Sequence, residues 1–122
     1  MANILIIEDD AALQEAYSFM LDVDGHSVTT AYNGEEGLAK AKQATYDIIL
    51  LDIHMPVMTG IEFLEQFVSI RPKATKIIVF SNMIEPEIEQ QALQLGADLC
   101  ILKSSATPTG ILSRIKDIHA AA

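Results

Sequence analysis

Short aliphatic runs that alternate with segments of helical periodicity constrain the fold of this chain more than any other feature of its sequence. The clearest run, residues 48–51, contains four consecutive aliphatic residues with no polar alternation. Such a run is typical of a strand that is buried on both faces, as in a parallel sheet covered by helices. Strands are predicted at residues 4–7, 26–31, 48–51, 76–80 and 98–102, and the second, rich in Thr and Val, is expected at an edge of the sheet.

Apolar residues at helical spacing occupy the segments between these strands. The first helix is predicted to follow a cap at Asp10 and to stop at Asp24. Its inward positions are predicted to be Leu13, Ala16, Tyr17 and Met20. Further helices are predicted at residues 35–43, from Pro86 to Gly96, and after a cap at Thr107. Another helix, with Ile61, Leu64 and Val68 as its inward apolar positions, is predicted to end before Arg71. This alternation indicates an α/β fold, with a five-stranded parallel sheet and helices on both faces.

Length and composition predict one globular domain that spans residues 1–122. Half of the residues are hydrophobic and a fifth are charged, which excludes a disordered chain. No apolar stretch approaches the roughly 20 residues that a membrane helix needs. A strand pattern that begins at Asn3 leaves no room for a signal peptide, so we expect a cytoplasmic protein without membrane contact.

The net charge of -9 argues against direct nucleic-acid binding, because contact with phosphates needs clustered Lys and Arg. The acidity is uneven, since residues 1–39 contain eight acidic residues and no Lys or Arg. The first helix is therefore expected to offer a partner a negative surface, although a solvated helix face explains the same pattern. The single cysteine, Cys100, is predicted to be a small buried core residue.

Polar and charged residues follow four of the predicted strands, at the rim where the carboxyl ends of parallel strands meet. Glu8 and Asp9 follow the first strand, Asp52 the third, Ser81 the fourth and Lys103 the fifth. Each residue alone has an ordinary explanation as a cap, turn or surface residue, but together they form one constellation. Three carboxylates repel one another, so the cluster needs a cation or a raised pKa on one member. Oxygen-only ligands favour Mg²⁺.

A metal-held carboxylate is a nucleophile toward phosphorus, and phosphoryl transfer depends mostly on positioning and charge neutralisation. In this interpretation Asp52 attacks the phosphorus, and Mg²⁺ is held by Asp9, with Glu8 acting mostly through water. Lys103 pairs with Asp52 and the developing charge, while Ser81 donates a hydrogen bond to the transferred group. The sequence thus predicts a phospho-acceptor site.

At these positions the chain resembles the receiver domains of two-component response regulators, over essentially its whole length. The resemblance rests on four segments in order and spacing, at residues 6–10, 50–60, 79–82 and 101–103. It implies a flavodoxin-like (βα)5 fold with strand order 2-1-3-4-5. It also implies Asp52 as acceptor, Mg²⁺ as cofactor and the backbone carbonyl of His54 as a further metal ligand.

The same resemblance implies the partners and the output of such a domain. The phosphoryl donor is expected to be a histidine kinase or phosphotransfer protein, and the target a downstream output domain or protein. The signal is expected to leave through the face formed by helix 4, strand 5 and helix 5. The domain is not expected to be an enzyme beyond phosphorylating and dephosphorylating itself.

Two positions depart from the family pattern. Cys100 stands where an aromatic residue or His is common, and Ser104 follows the lysine where a proline with a cis peptide is usual. Without a ring at position 100, activation is expected to travel through Ser81 and the loop after it. The Lys103–Ser104 peptide is expected to be trans, because a cis bond before a non-proline residue costs about 3–4 kcal/mol.

Two loop residues also bear on the acceptor site, and three other functions are alternatives to it. His54 and Met83 flank the approach of an attacking water and are expected to tune the lifetime of the phosphate. The alternative function is a phosphate-independent, receiver-like interaction module with the same fold, and the intact acceptor site argues against it. An aspartate-nucleophile phosphatase usually has a second Asp two residues after the nucleophile, where this chain has His54, and a substrate cap that 122 residues do not provide. A flavin carrier would need hydroxyl and backbone hydrogen-bond donors for the flavin phosphate, but the rim of this sheet is acidic.

Overall fold

Strands and helices alternate along residues 2–103 and 108–120, the residues that the computed structural model describes. The strands are β1 (Asn3–Ile7), β2 (Ser27–Ala31), β3 (Ile48–Leu51), β4 (Lys76–Ser81) and β5 (Leu99–Leu102). The helices are α1 (Ala11–Val23), α2 (Gly34–Gln43), α3 (Gly60–Phe67), α4 (Pro86–Gln94) and α5 (Pro108–Ala120). None of these helices has the length and apolar character needed to cross a lipid bilayer.

The strands form one parallel sheet in the order β2-β1-β3-β4-β5. This order confirms the predicted α/β class, the predicted topology and the edge position of β2. β3 lies between β1 and β4, with Leu51 paired to Ile7 on one side and to Val79 on the other. The residues that follow β1, β3 and β4 therefore meet at one rim.

Successive strand residues point to opposite faces of the sheet, so one strand contributes to two cores. Leu5 and Ile7 pack in a core with residues of α2, α3 and α4, whereas Ile4 and Ile6 pack with residues of α1 and α5. Each fully buried aliphatic side chain contributes roughly 1.5–3 kcal/mol. The runs without polar alternation are therefore explained by burial on both faces.

Local signals determine where the helices begin. Asp10 caps α1 by accepting a hydrogen bond from the backbone N–H of Leu13, and Asn33 caps α2 in the same way. Because Asn33 is a cap, α2 begins at Gly34, one residue earlier than predicted. Thr59 and Glu62 form a reciprocal capping box at the start of α3.

Three predictions about burial are wrong. Ala16 is exposed, because α1 instead turns Gln14, Tyr17 and Leu21 to the sheet. Val68 is 47% exposed, since α3 ends at Phe67 and Val68 forms its C-cap. Cys100 lies on edge strand β5 and is only partly buried, although it packs against the core.

Two further predictions lie outside the described residues. The Thr107 cap belongs to the segment 104–107, and the Lys103–Ser104 peptide involves its first residue. Both remain predictions.

Candidate functional site

Three carboxylates gather at the rim formed by β1 and β3. Oxygens of Glu8, Asp9 and Asp52 lie within 4.8 Å of one another. Glu8 and Asp52 are buried, whereas Asp9 is exposed. The pairing of Ile7 with Leu51 explains this arrangement, because the residues that follow the two strands emerge side by side.

The ammonium group of Lys103 lies between two of these carboxylates. It donates a hydrogen bond to Oε1 of Glu8 and lies 3.7 Å from Oδ2 of Asp52. The Lys103 side chain is only 8% exposed, so water screens these contacts little. The predicted pairing with Asp52 is present, but the closer partner is Glu8.

Glu8 is the carboxyl group whose titration the site perturbs most clearly. Burial raises the pKa of Glu8 to about 7. Two hydrogen bonds, one from Lys103 and one from the backbone N–H of Asp10, act in the opposite direction and lower this pKa. The charge of Asp52 also raises this pKa, and the charge of Lys103 opposes that effect. A raised pKa on one member is one of the two outcomes that the sequence predicts for such a cluster.

Ser81 ends β4 with a buried hydroxyl. The residue is 1% exposed, and within the described part of the chain its Oγ has no hydrogen-bond partner. A buried hydroxyl without a partner is costly, so this atom suits an acceptor that enters the site. A phosphoryl oxygen is such an acceptor.

These residues surround one recess that is open to solvent, which we call the acceptor recess. It is lined by Glu8, Asp9, Asp10, Asp52, His54, Ser81, Asn82, Met83 and Lys103. All the site residues predicted from the sequence are therefore brought together. Asp52 lines this recess, although most of its side chain is kept out of water.

The His54 side chain points toward the loop between β4 and α4. Its Nε2 lies 3.2 Å from the carbonyl oxygen of Met83 and 3.6 Å from Oε1 of Glu85. The expected contribution of His54 to a metal uses its backbone carbonyl and does not need this ring. His54 and Met83 do flank the recess, as predicted.

The loop after Asp52 is held close to the start of α3. The backbone N–H of Asp52 donates to the carbonyl of Ile7, and that of Gly60 donates to the carbonyl of Ile53. A Cβ atom at position 60 would lie 2.4 Å from the Asp52 carbonyl oxygen. Only glycine allows this approach, so Gly60 fixes the path of the acceptor loop.

Gln14 is a supporting residue that the sequence analysis missed. Its side-chain amide donates to the carbonyl oxygens of Glu8 and Ala31 and so joins α1 to the ends of β1 and β2. The available signal is a polar residue at helical spacing with Tyr17 and Leu21. Gln14 is 4% exposed, and its contacts hold the backbone at Glu8.

Comparison with known proteins agrees with this geometry. The family model described as the response regulator receiver domain matches residues 4–116. The transcriptional regulatory protein ResD of Bacillus subtilis is 34% identical over 114 residues, which cover 93% of this chain and 46% of ResD. The cell cycle response regulator CtrA of Brucella ovis is 39% identical over 96 residues, covering 79% of this chain and 41% of CtrA.

Solved structures show the same likeness. A CheY-like response regulator receiver domain protein from Methanospirillum hungatei superposes with a TM-score of 0.93 and 32% identity, covering 99% of this chain and 95% of that one. The chain spans less than half the length of ResD and of CtrA. The match to the family model and the identity to these regulators agree with the acidic recess, and this chain belongs to the family of response regulator receiver domains.

Proposed function

We propose that Asp52 accepts a phosphoryl group from the histidine of a kinase or phosphotransfer protein and that this reaction switches the domain. The observation that carries the proposal is the meeting of three groups in the acceptor recess. The Asp52 carboxylate lies 3.7 Å from the Lys103 ammonium, and the Ser81 hydroxyl has no partner among the described residues. A nucleophile, a cation and a free donor are the groups that phosphoryl transfer needs.

The residues present fit a magnesium ion. Glu8, Asp9 and Asp52 offer only hard oxygen ligands, close together and without sulfur or imidazole at the cluster. These three residues, with the backbone carbonyl of His54, would hold the ion. When bound, Mg²⁺ neutralises the carboxylates and the charge on the phosphoryl oxygens.

The protein's own groups then have separate roles. A carboxylate oxygen of Asp52 attacks the phosphorus, the bond from phosphorus to the donor nitrogen breaks, and an acyl phosphate forms. The Lys103 ammonium offsets negative charge beside Asp52. Ser81 donates its hydroxyl hydrogen to a phosphoryl oxygen, which supplies the partner that this hydroxyl lacks among the described residues.

An exposed face of α1 is the proposed docking surface for the donor. Phe19 and Val23 are 69% and 70% exposed there, and Glu15 lies beside Phe19 along the same surface. α1 starts directly after the acidic residues of the recess, so a donor on this face lies near Asp52. The acidic side chains of α1 favour a donor with basic residues at its margin.

The output and the catalytic class are also proposals. The switched domain would signal through the face of α4, β5 and α5 to a downstream output domain or protein. We place it in the cytoplasm, where ATP is available to a kinase. Net negative charge disfavours direct nucleic-acid contact by this domain. We regard the domain as a phospho-acceptor rather than an enzyme, because its nucleophile is itself the group that is modified.

Uptake of phosphate from acetyl phosphate tests this function and separates it from a phosphate-independent interaction module. The protein is incubated with acetyl phosphate and Mg²⁺, with a matched sample in excess EDTA, and intact masses are measured. We expect the mass of one phosphoryl group to appear only with Mg²⁺. Failure to gain phosphate at any Mg²⁺ concentration would support the interaction module, and equal uptake in EDTA would contradict the metal site.

A further inference from the structure

The aromatic ring of Phe80 lies next to the lysine of the acceptor recess. Phe80 immediately precedes Ser81 on β4 and is 5% exposed. The Nζ atom of Lys103 lies over this ring, 5.5 Å from its centroid. An ammonium over the negative face of a ring is attracted to it, and the attraction is stronger where water is excluded.

Tyr17 fixes the orientation of the Phe80 ring. The two rings meet edge to face, with their centroids 5.1 Å apart and their planes at 89°. Both belong to the core between the sheet and helices α1 and α5. Tyr17, Phe80, Glu8 and Asp52 also line one small cavity beneath the recess, so the ring pair adjoins the carboxylates.

The position of the Lys103 ammonium is not decided by the carboxylates alone. Glu8 is its close partner, and Asp52 lies farther away at 3.7 Å. Both carboxylates attract the ammonium, and the closer contact is with Glu8. The Phe80 ring is a third group beside the ammonium, so its loss is expected to change the position of the ammonium relative to both carboxylates.

We infer that Phe80 is a positioning residue, whose ring, oriented by Tyr17, holds the Lys103 ammonium within reach of Asp52 during phosphoryl transfer. This inference rests on the proposed function and deepens it. Phe80 touches no reacting atom and acts through Lys103. The arrangement also gives α1 a packed connection to the site, through Tyr17.

The rate of phosphorylation by acetyl phosphate, at saturating Mg²⁺, tests the role of the ring. We expect Phe80→Leu to slow phosphorylation by about tenfold, because it removes a desolvated cation–π contact while keeping an apolar side chain. Phe80→Tyr keeps the ring and should restore most of the rate. Ile78→Val is the matched control, because it trims a buried residue on the same face of β4. Equal rates for Phe80→Leu and the wild type would overturn the inference.

A double-mutant cycle separates positioning from packing. If the ring acts through the ammonium, Phe80→Leu should have no further effect on the rate in a Lys103→Met background. The same slowing in both backgrounds would mean that Phe80 only supports the strand, and would overturn the inference.

A readout without phosphate distinguishes this inference from the proposed function. The ε-methylene protons of Lys103 should be shifted upfield in NMR spectra by the ring current of Phe80, and Phe80→Leu should abolish that shift while Ile78→Val retains it. An unchanged Lys103 signal in Phe80→Leu would overturn the inference whatever the phosphorylation rates. A wild-type protein that shows the ring-current shift but takes up no phosphate would instead contradict the proposed function.

Discussion

Two buried hydroxyl groups on this scaffold have opposite surroundings. Thr75 donates its hydroxyl hydrogen to the carbonyl of Tyr46 across 2.6 Å, whereas Ser81 Oγ has no partner among the described residues. A satisfied buried hydrogen bond contributes about 0.5–1.5 kcal/mol, and an unsatisfied buried group is a cost. The Thr75 hydroxyl thus serves the fold, and the Ser81 hydroxyl is left for a ligand.

Substitution of these two residues should separate stability from function. Ser81→Ala is expected to leave the free energy of unfolding unchanged or raised, because it removes an unsatisfied buried group, while Thr75→Val should lower it by about 1–2 kcal/mol because the Tyr46 carbonyl loses its donor. Denaturant unfolding measures both changes. A loss in Ser81→Ala as large as that in Thr75→Val would show that the Ser81 hydroxyl has a structural partner.

The raised pKa of Glu8 predicts a pH dependence of stability. With a pKa of about 7 in the folded protein against 4.5 ordinarily, Glu8 binds more protons in the folded than in the unfolded state between these values. The contribution of Glu8 to stability is therefore fully present below pH 4.5 and is lost as pH rises through about 7. We expect an effect on the order of 1 kcal/mol or more.

The measurement compares unfolding of the wild type with that of Glu8→Gln from pH 4 to 8 in metal-free buffer. Subtracting the two curves removes the other carboxyl groups, and the difference should fall as pH rises. A difference that does not change with pH, or that rises with pH, would mean that the pKa of Glu8 is not raised in the folded protein.

At this scale the sequence predicts which residues belong to the site but not how they pair. Glu8, Asp52 and Lys103 each follow a strand, which is visible in the sequence. That Lys103 approaches Glu8 more closely than Asp52 depends on distances of a few ångströms, which no spacing encodes. The support from Gln14 and Phe80 was missed for a similar reason, since a buried amide and a strand aromatic look like ordinary core residues.

Among the elements, the start of α3 is the one most closely tied to the acceptor. Gly60 is its first residue, and a Cβ there would lie 2.4 Å from the Asp52 carbonyl oxygen and 2.8 Å from the Ile53 Cα. Both of these neighbours are backbone atoms, so moving either of them would cost conformational free energy.

Gly60→Ala should therefore destabilise the protein by more than about 2 kcal/mol, although alanine normally favours a helix. Thr59→Ala is the control, because it removes one cap of the same helix at a cost of about 1 kcal/mol. Thermal or denaturant unfolding compares the two variants. A Gly60→Ala protein as stable as the wild type would show that the loop does not need this close approach.

The start of α4 is where we expect the switch to act. Glu85 occupies the N-cap position without making a side-chain cap, and its carboxylate lies 3.6 Å from Nε2 of His54. The loop between β4 and α4 begins directly after Ser81, which is the proposed partner of the phosphoryl group. Contact at Ser81 should therefore alter the loop and the first turn of α4.

Amide NMR of the free protein and of the protein bound to a phosphate mimic tests this route. The largest changes in chemical shift are expected at residues 81–90. Cys100 is partly buried, and its thiol is too small to vacate a pocket as a ring does. Large changes centred on Cys100, with none at residues 81–90, would reverse the assignment.

The elements themselves were predicted well from periodicity, and their faces less well. The aliphatic runs of the strands are easy to recognise in the sequence, because burial on both faces of the sheet removes the alternation of polar and apolar residues. The buried face of α1 differs from the predicted one because Gln14 is buried and hydrogen-bonded, which hydrophobic spacing does not reveal. α3 ends sooner than its apolar pattern suggests, which leaves Val68 exposed.

In the molecule as a whole, the parallel order of the strands creates the site. Lys103 and Glu8 are 95 positions apart in the chain, yet they pair because all the strands end at one rim. The resemblance to receiver domains predicted that order, which the alternation of strands and helices alone leaves open. The crowding of acidic groups explains why the recess suits a cation.

We propose that Asp52 is the residue that receives the phosphoryl group. Intact-mass measurement of wild-type, Asp52→Asn and Asp47→Asn proteins after incubation with acetyl phosphate and Mg²⁺ tests it directly. Asp47 is the control, because it lies at the opposite end of β3, where its carboxylate accepts from the backbone N–H of Asn3. We predict one added phosphoryl group on the wild type and on Asp47→Asn, and none on Asp52→Asn. An Asp52→Asn protein that still gains one phosphoryl group under the same conditions would contradict the account.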